Sequence, residues 1–187
     1  MSEYYFWKGE KVRLRQFRES DITRKLEEYY DSEARRFLQD GITDLPPVTP
    51  EQYKKHFNPE DVELCDNNLH SNIMFAIENF DGDFVGWINL WGRNPRSGVF
   101  NFGIGIFSEF RKMGYASDAI KIILRYGFYE LRMQKCNSAC CAANKASIKM
   151  HKGLGFKEEG LRRREIFTNN QYYDLQLFGM LSEEFEG

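Results

Sequence analysis

The chain has 187 residues, 42% of them hydrophobic and 29% charged, with a net charge of −2. That is the size and balance of one folded domain over residues 1–187, and it excludes wholesale disorder. No run of eighteen apolar residues occurs, so no membrane-spanning helix is expected. The start, Met1-Ser2-Glu3-Tyr4-Tyr5-Phe6-Trp7-Lys8, lacks the basic segment and apolar core of a secretory signal. Cys65, Cys136, Cys140 and Cys141 do not make a disulfide framework and are expected as reduced core thiols of a cytoplasmic protein.

In chain order, Lys11 to Arg15 alternates Val12 and Leu14 with charge, the pattern of a half-exposed strand. Ser20-Asp21 opens a helical stretch through Leu26 and Tyr29-Tyr30, continuing or restarting to Phe37-Leu38. Thr49-Pro50-Glu51-Gln52 is a helix-start signature, with Thr49 as N-cap and Gln52 closing a capping box. Ile73–Ile77 and Phe84–Trp91 read as strands around an Asn79–Asp83 hairpin turn, and Val99–Ile106 completes an antiparallel meander. Ala116, Ala119, Ile120, Ile123, Leu124, Phe128 and Leu131 form one apolar stripe of a long helix. A buried-type strand at Cys136–Cys141 and a helix at Lys145–Leu154, closed by Gly155, come next. Two strands, Lys157–Phe167 and Gln171–Leu181, then flank an Asn169-Asn170 turn. The order is β-α-α-β-β-β-α-β-α-β-β, a mixed α/β domain.

Charge is unevenly spread. Asp40, Asp44, Glu51, Glu60, Asp61, Glu63, Asp66, Glu78, Asp81 and Asp83 face only Lys54 and Lys55 within residues 40–84, so the rest of the chain is net basic. Either an acidic surface or ordinary solvated loops fit this pattern. His56 and His70 lack paired Cys or His ligands, and no metal site is expected. Cys140 and Cys141 are adjacent on a strand, point to opposite faces and are expected to pack. Arg162-Arg163-Arg164 fits a solvated strand edge or, second, a contact to a cofactor phosphate. No aromatic-interleaved basic platform is present, so no nucleic-acid partner is expected.

The segment that carries chemistry is Ile104-Gly105-Ile106, then Arg111-Lys112-Met113-Gly114-Tyr115-Ala116, then the long helix. A helix entered from such a loop has first-turn N–H groups without internal partners, and the helix dipole adds partial positive charge there. An end of this kind binds phosphate or pyrophosphate. Gly114 leaves the backbone open to a ligand, and Arg111 and Lys112 add charge. No P-loop or dinucleotide fingerprint occurs. On the hexapeptide alone, a tight turn into a helix explains the residues equally well.

Arg111-x-x-Gly114-x-Ala116 resembles the acetyl-CoA pyrophosphate loop of the GNAT acetyltransferase superfamily. Asn144-x-x-Ser147 with Gly155-Phe156 and Glu158-Glu159-Gly160 is a second match, and Tyr172-Tyr173-Asp174 a third. The resemblance covers essentially the whole chain. It is strongest to the branch containing ribosomal-protein-alanine and spermidine N-acetyltransferases. It implies an α/β (α+β) fold with a mixed, mostly antiparallel central sheet of about seven strands flanked by about four helices, and a splay between the fourth and fifth strands. It also implies acetyl-CoA as co-substrate and no metal.

On that resemblance, backbone groups at Ile104 and Ile106 pair with the pantetheine amides. Those of Arg111, Lys112, Met113, Gly114, Tyr115 and Ala116 hold the pyrophosphate. Asn144 anchors the pantetheine or the helix beside it, and Ser147 either touches the cofactor or is a structural contact of that helix. The implied reaction moves an acetyl group to a primary amine by direct attack in a ternary complex. The amine must be neutral, although its free pKa is near about 10. The thioester oxygen needs a hydrogen-bond donor as charge develops, and the leaving thiolate benefits from an acid.

The sequence departs from the family at two points. His151 stands where many members have the tyrosine that protonates the thiolate, so it is either the general acid or a packing residue. Asn101 stands where a glutamate is frequent, and no base is assigned. Asp174 is a candidate for binding or deprotonating the amine. The acceptor is a small-molecule amine such as a polyamine, or a protein N-terminus, and an acidic wall would favour a cationic one. The terminal aromatics Tyr4, Tyr5, Phe6 and Trp7 suggest an arm that packs on something, a second subunit of a homodimer being one candidate. The alternative is an acyl-CoA or polyamine sensing module of the same fold with weak catalysis.

Overall fold

The computed structural model describes residues 5–30, 48–56 and 72–186. Their elements are β1 (Val12–Arg15), α1 (Glu19–Tyr30), α2 (Pro50–His56), β2 (Ile73–Asn79), β3 (Phe84–Asn94) and β4 (Val99–Ile106). They continue with α3 (Tyr115–Arg125), β5 (Lys135–Cys141), α4 (Lys145–Gly153), β6 (Lys157–Thr168) and β7 (Gln171–Leu181). The expected order holds element for element. The described residues fall into two compact units: 5–18, 72–136 and 181–186 in the first, 19–30, 48–56 and 137–180 in the second.

In the first unit, β1, β2, β3 and β4 form an antiparallel meander. The β2–β3 turn closes as expected. Asn79 N–H donates to the Asp83 carbonyl at 3.1 Å, and Asn79 Oδ1 accepts the Asp83 N–H at 2.8 Å. Ile77, Ile88, Leu90 and Phe100 are fully buried, as are Ile120, Ile123 and Leu124 on α3. The helix packs against β1, β3 and β4. Burial of this aliphatic stripe, at about 25 cal/mol per Å², holds the helix in place.

The long helix does not run uniformly to Leu131. Its last turn, Tyr126–Glu130, is a π-helix, with the Leu131 N–H reaching back to the Tyr126 carbonyl at 3.1 Å. Gly127 lies against the ring of Phe100 with no room for a β-carbon, and Phe128 packs edge-on to the same ring at 5.4 Å. Both residues of this widened turn therefore lie against one aromatic.

The terminal aromatics Phe6 and Trp7 pack, as expected of such an arm, and one expectation about charge is corrected. Trp7 lies 4.8 Å from Phe75 and 4.7 Å from Tyr126, and Phe6 lies under the Arg125 guanidinium. Phe6 and Trp7 thus pack within one chain. Glu78 belongs to no acidic surface. It is 1% exposed and paired with Arg13, Arg15 and Arg18. Asp40, Asp44, Glu60, Asp61, Glu63, Asp66, Cys65, His70, Tyr4 and Phe37-Leu38 lie outside the described residues.

In the second unit, α1 and α2 pack through Ile22, Leu26 and Tyr53. The capping box is as expected: Gln52 N–H donates to Thr49 Oγ1 at 3.2 Å, and Thr49 N–H to Gln52 Oε1 at 2.8 Å. β6 and β7 pair antiparallel around Asn169 and Asn170, both left-handed at φ 49° and 57°, the geometry of a tight hairpin turn. Cys141 joins Ile166 and Leu175 in a core cluster, whereas Cys140 hydrogen-bonds Ser147. The adjacent thiols therefore serve opposite faces of β5. Among the described residues, no helix is long and apolar enough to cross a membrane.

Candidate active site

The phosphate-loop candidate lies in the first unit. Antiparallel pairing alternates the direction of backbone polar groups along a strand. The Phe107 N–H donates to the Val85 carbonyl at 3.1 Å, and the Gly103 N–H donates to Asn89 Oδ1 at 2.7 Å, so odd-numbered residues here face β3. The backbone groups of Ile104 and Ile106 consequently point away from β3. Arg111 Nε donates to the Ile106 carbonyl at 3.1 Å, which ties the loop back to the strand it leaves.

A short 3-10 turn, Ser108–Phe110, leads into the bend. Lys112 at φ 65° and Gly114 at φ 86° are both left-handed, and Gly114 caps α3. These two reversals turn the chain sharply into the helix, so the amides of its first turn face outward along the axis. Residues 111–114 are exposed, and Tyr115 and Ala116 are half-buried. The six residues singled out for a pyrophosphate thus form one continuous bend at the positive end of an eleven-residue helix. Glu109, two residues before the bend, is exposed.

The second group lies in the other unit, on α4 and the part of β5 that faces it. Asn144 is the N-cap of α4, its Oδ1 accepting the Ser147 N–H at 3.0 Å. That contact anchors the helix, one of the two roles expected for this side chain. Ser147 makes structural contacts within the same helix: its carbonyl lies 2.8 Å from His151 Nδ1, and its hydroxyl 3.4 Å from the same nitrogen.

His151 is 2% exposed, stacked on Phe178 at 4.5 Å and 9° and edge-on to Phe156 at 5.3 Å. Its Nε2 is 2.8 Å from Ser138 Oγ. The Ser147 carbonyl can only accept, so Nδ1 carries the proton and Nε2 accepts from the Ser138 hydroxyl. Burial lowers the imidazole pKa below its ordinary 6.5, a shift the Ser147 hydrogen bond only partly opposes. These contacts favour the packing reading of His151 over the general-acid reading.

Asp174 sits on β7, half-buried. Its Oδ1 accepts the N–H of Arg164 at 2.8 Å, and its carbonyl accepts the Ala142 N–H at 2.9 Å, just before α4. Arg164 is left-handed at φ 56°, inside a register shift of β6 between Arg162 and Ile166. The aspartate therefore braces a bulge as well as occupying its expected place in the C-terminal strands. Arg162 and Arg164 are exposed, Arg162 paired with Glu165 and Arg164 lying over the Tyr172 ring. Ser138, Lys11 and Asp118 carry no motif signal and were found only in the structure.

Residues 11–157 match the family model described as an acetyltransferase (GNAT) domain. The SPbeta prophage-derived uncharacterized N-acetyltransferase YokL of Bacillus subtilis is 32% identical over 97% of this chain and 96% of its own length. The spermidine N(1)-acetyltransferase of Escherichia coli K12 is 32% identical over 59% of this chain and 60% of its own. The crystal structure of a spermidine N-acetyltransferase from Vibrio cholerae, in complex with CoA and spermine, superposes with a TM-score of 0.79. At 20% identity, over 94% of this chain and 98% of that one, it is similar in fold.

Proposed function

The chain belongs to the GNAT acetyltransferase family, acyltransferases that draw on acetyl-CoA. On that premise we propose that it acetylates a cationic primary amine, using the Arg111–Ala116 bend as its coenzyme clamp. The observation that carries this reading is the left-handed Gly114 at the mouth of α3. It opens the backbone at the place where first-turn amides can hold a diphosphate.

Each residue then has a task. Amides from Arg111 to Ala116 bind the pyrophosphate. Backbone groups of Ile104 and Ile106, directed away from β3, pair with the pantetheine amides. Asn144 and Ser147 fix the start of α4. His151 holds the Ser138 hydroxyl and the Phe178 ring in place. Asp174, with Oδ1 committed to Arg164, is left with Oδ2 to attract the ammonium of the acceptor. Acceleration comes from orienting a neutral amine against the thioester, which converts a bimolecular encounter into an intramolecular one. No side chain is assigned as base.

The preference for a cation is supported by the Escherichia coli relative, a spermidine N(1)-acetyltransferase. The charge pattern supports it less than the composition suggested, because Glu78 is an internal ion-pair partner. Release of free CoA thiol, measured as amines are added to protein and acetyl-CoA, tests the reading. Spermidine, an alanine-initiated basic peptide and a neutral amine form the panel. Release with the first or second is expected. Release only with the neutral amine, unaffected by salt, overturns the cationic preference. Loss of none of the activity in Gly114→Glu overturns the clamp.

A further inference from the structure

One carboxylate joins the segment before β1 to the first turn of α3. Asp118 is 7% exposed. Its Oδ1 accepts the Glu10 N–H at 3.0 Å, and its Oδ2 accepts the N–H groups of Lys11 at 2.7 Å and Val12 at 2.9 Å. Three successive amides converge on one anion. Gly9 lies so close to the carboxylate that a β-carbon there would collide with it. At the other end of the helix, Arg125 donates to the carbonyls of Phe6 and Lys8. Both ends of α3 therefore grip residues 6–12.

This anchor fixes the backbone of Lys11 and leaves its side chain at the bend. Lys11 Nζ donates to the Met113 carbonyl at 3.0 Å. A β-carbon on Gly114 would lie 2.8 Å from the same nitrogen. An ammonium has three donors, and Met113 takes one. Within the bend, Arg111 turns its Nε to the Ile106 carbonyl, and Lys112 is exposed at φ 65°. A further charge that sits directly against the bend thus comes from outside the motif, 102 residues away in sequence.

We propose that Lys11 is a phosphate-binding residue of the coenzyme site and that Asp118 is the positioning residue that delivers it. The inference rests on the pyrophosphate reading of the bend. It assigns a second, separable duty to the segment before β1: the backbone amides bind Asp118, and the ammonium meets the phosphate oxygens. A charge-assisted contact of this kind adds to the helix-dipole attraction, and because it lies at the surface it is screened by salt.

Calorimetric titration separates the two claims. CoA, and pantetheine as the phosphate-free probe, are titrated into wild type, Lys11→Met, Lys11→Arg, Asp118→Asn and the exposed α3 control Lys121→Met. Lys11→Met is expected to weaken CoA about tenfold and to flatten the salt dependence of Kd, leaving pantetheine and Tm unchanged. Lys11→Arg recovers most of the affinity. Asp118→Asn weakens CoA and lowers Tm, while Lys121→Met matches wild type. If wild type binds CoA and Lys11→Met matches it in affinity and salt dependence, this inference falls and the reading of the bend stands. Equal weakening of pantetheine and CoA in Lys11→Met also overturns it. If wild type gives no heat with CoA, the reading of the bend falls and takes the inference with it.

Discussion

The imidazole of His151 accepts the hydroxyl proton of Ser138 across 2.8 Å, and the direction of that bond is set on the far side of the ring by the Ser147 carbonyl. A histidine held this way is neutral and has no proton to give at Nε2.

Replacing His151 with Phe should keep the stack on Phe178 but leave the Ser138 hydroxyl without this acceptor. A stability loss of about 1–3 kcal/mol is expected, with kcat little changed once the folded fraction is accounted for. The pH dependence has a definite sign. The native pKa is lowered, so between that value and 6.5 the unfolded chain binds a proton that the native ring does not. Wild-type stability therefore falls as pH drops below 6.5, and the Phe variant lacks this slope. Tm recorded from pH 7.5 to 5 checks it. A hundredfold drop in kcat with Tm intact would restore the ring as the proton donor.

Gly114→Ala places a β-carbon at φ 86° and 2.8 Å from Lys11 Nζ. The left-handed backbone alone costs about 1–2 kcal/mol for an alanine. CoA affinity should fall more than tenfold, with KM for acetyl-CoA rising in parallel. Gly82, at φ 94° with open space around it, is the control: Gly82→Ala carries similar strain and should leave CoA binding alone.

Glu78 is the hub of three arginines. Burial pushes its pKa up, but hydrogen bonds and charge from Arg15 and Arg13 more than offset this, and the carboxyl ends below its ordinary 4.5. Its contribution to stability is present above about pH 4.5 and is lost as pH falls through the lowered native value. Glu78→Gln strands the guanidinium groups and should cost about 3 kcal/mol at pH 7. The gap between variant and wild type should narrow in acid. Arg18, 58% exposed, should matter far less, under about 1 kcal/mol in Arg18→Ala. Denaturant titrations at pH 7 and pH 4 measure both.

Asp174 offers a split between scaffold and charge. Asp174→Asn keeps an acceptor for the Arg164 N–H, so Tm should hold, whereas KM for a cationic amine should rise about tenfold. Asp174→Ala loses both and should cost a further 1 kcal/mol or so of stability. An Asn variant with unchanged KM would confine the residue to bracing the bulge.

Much of the fold was legible because its signals are local. The capping box at Thr49 and Gln52, the two left-handed asparagines at 169 and 170, and the strand-bend-helix around Gly114 each depend on a few neighbouring residues. The Asn144 side chain was legible as an anchor, but which of two things it anchors needed the Ser147 N–H at 3.0 Å. What sequence could not supply is pairing across distance. Glu78 counts as surface acid until Arg13 and Arg15, 65 and 63 residues earlier, are placed beside it. Lys11 and Asp118 are 107 residues apart, and neither belongs to a pattern. The π-helical turn hides inside a good apolar stripe, and the Phe100 ring it packs on lies on another element.

The bond between Val12 and Asp118 spans 106 positions. A polypeptide emerging from a ribosome therefore presents its first strand long before the acid that will hold it exists. Late closure of this kind couples the fastening of β1 to the synthesis of α3, so a product that stops before Asp118 leaves β1 unfastened.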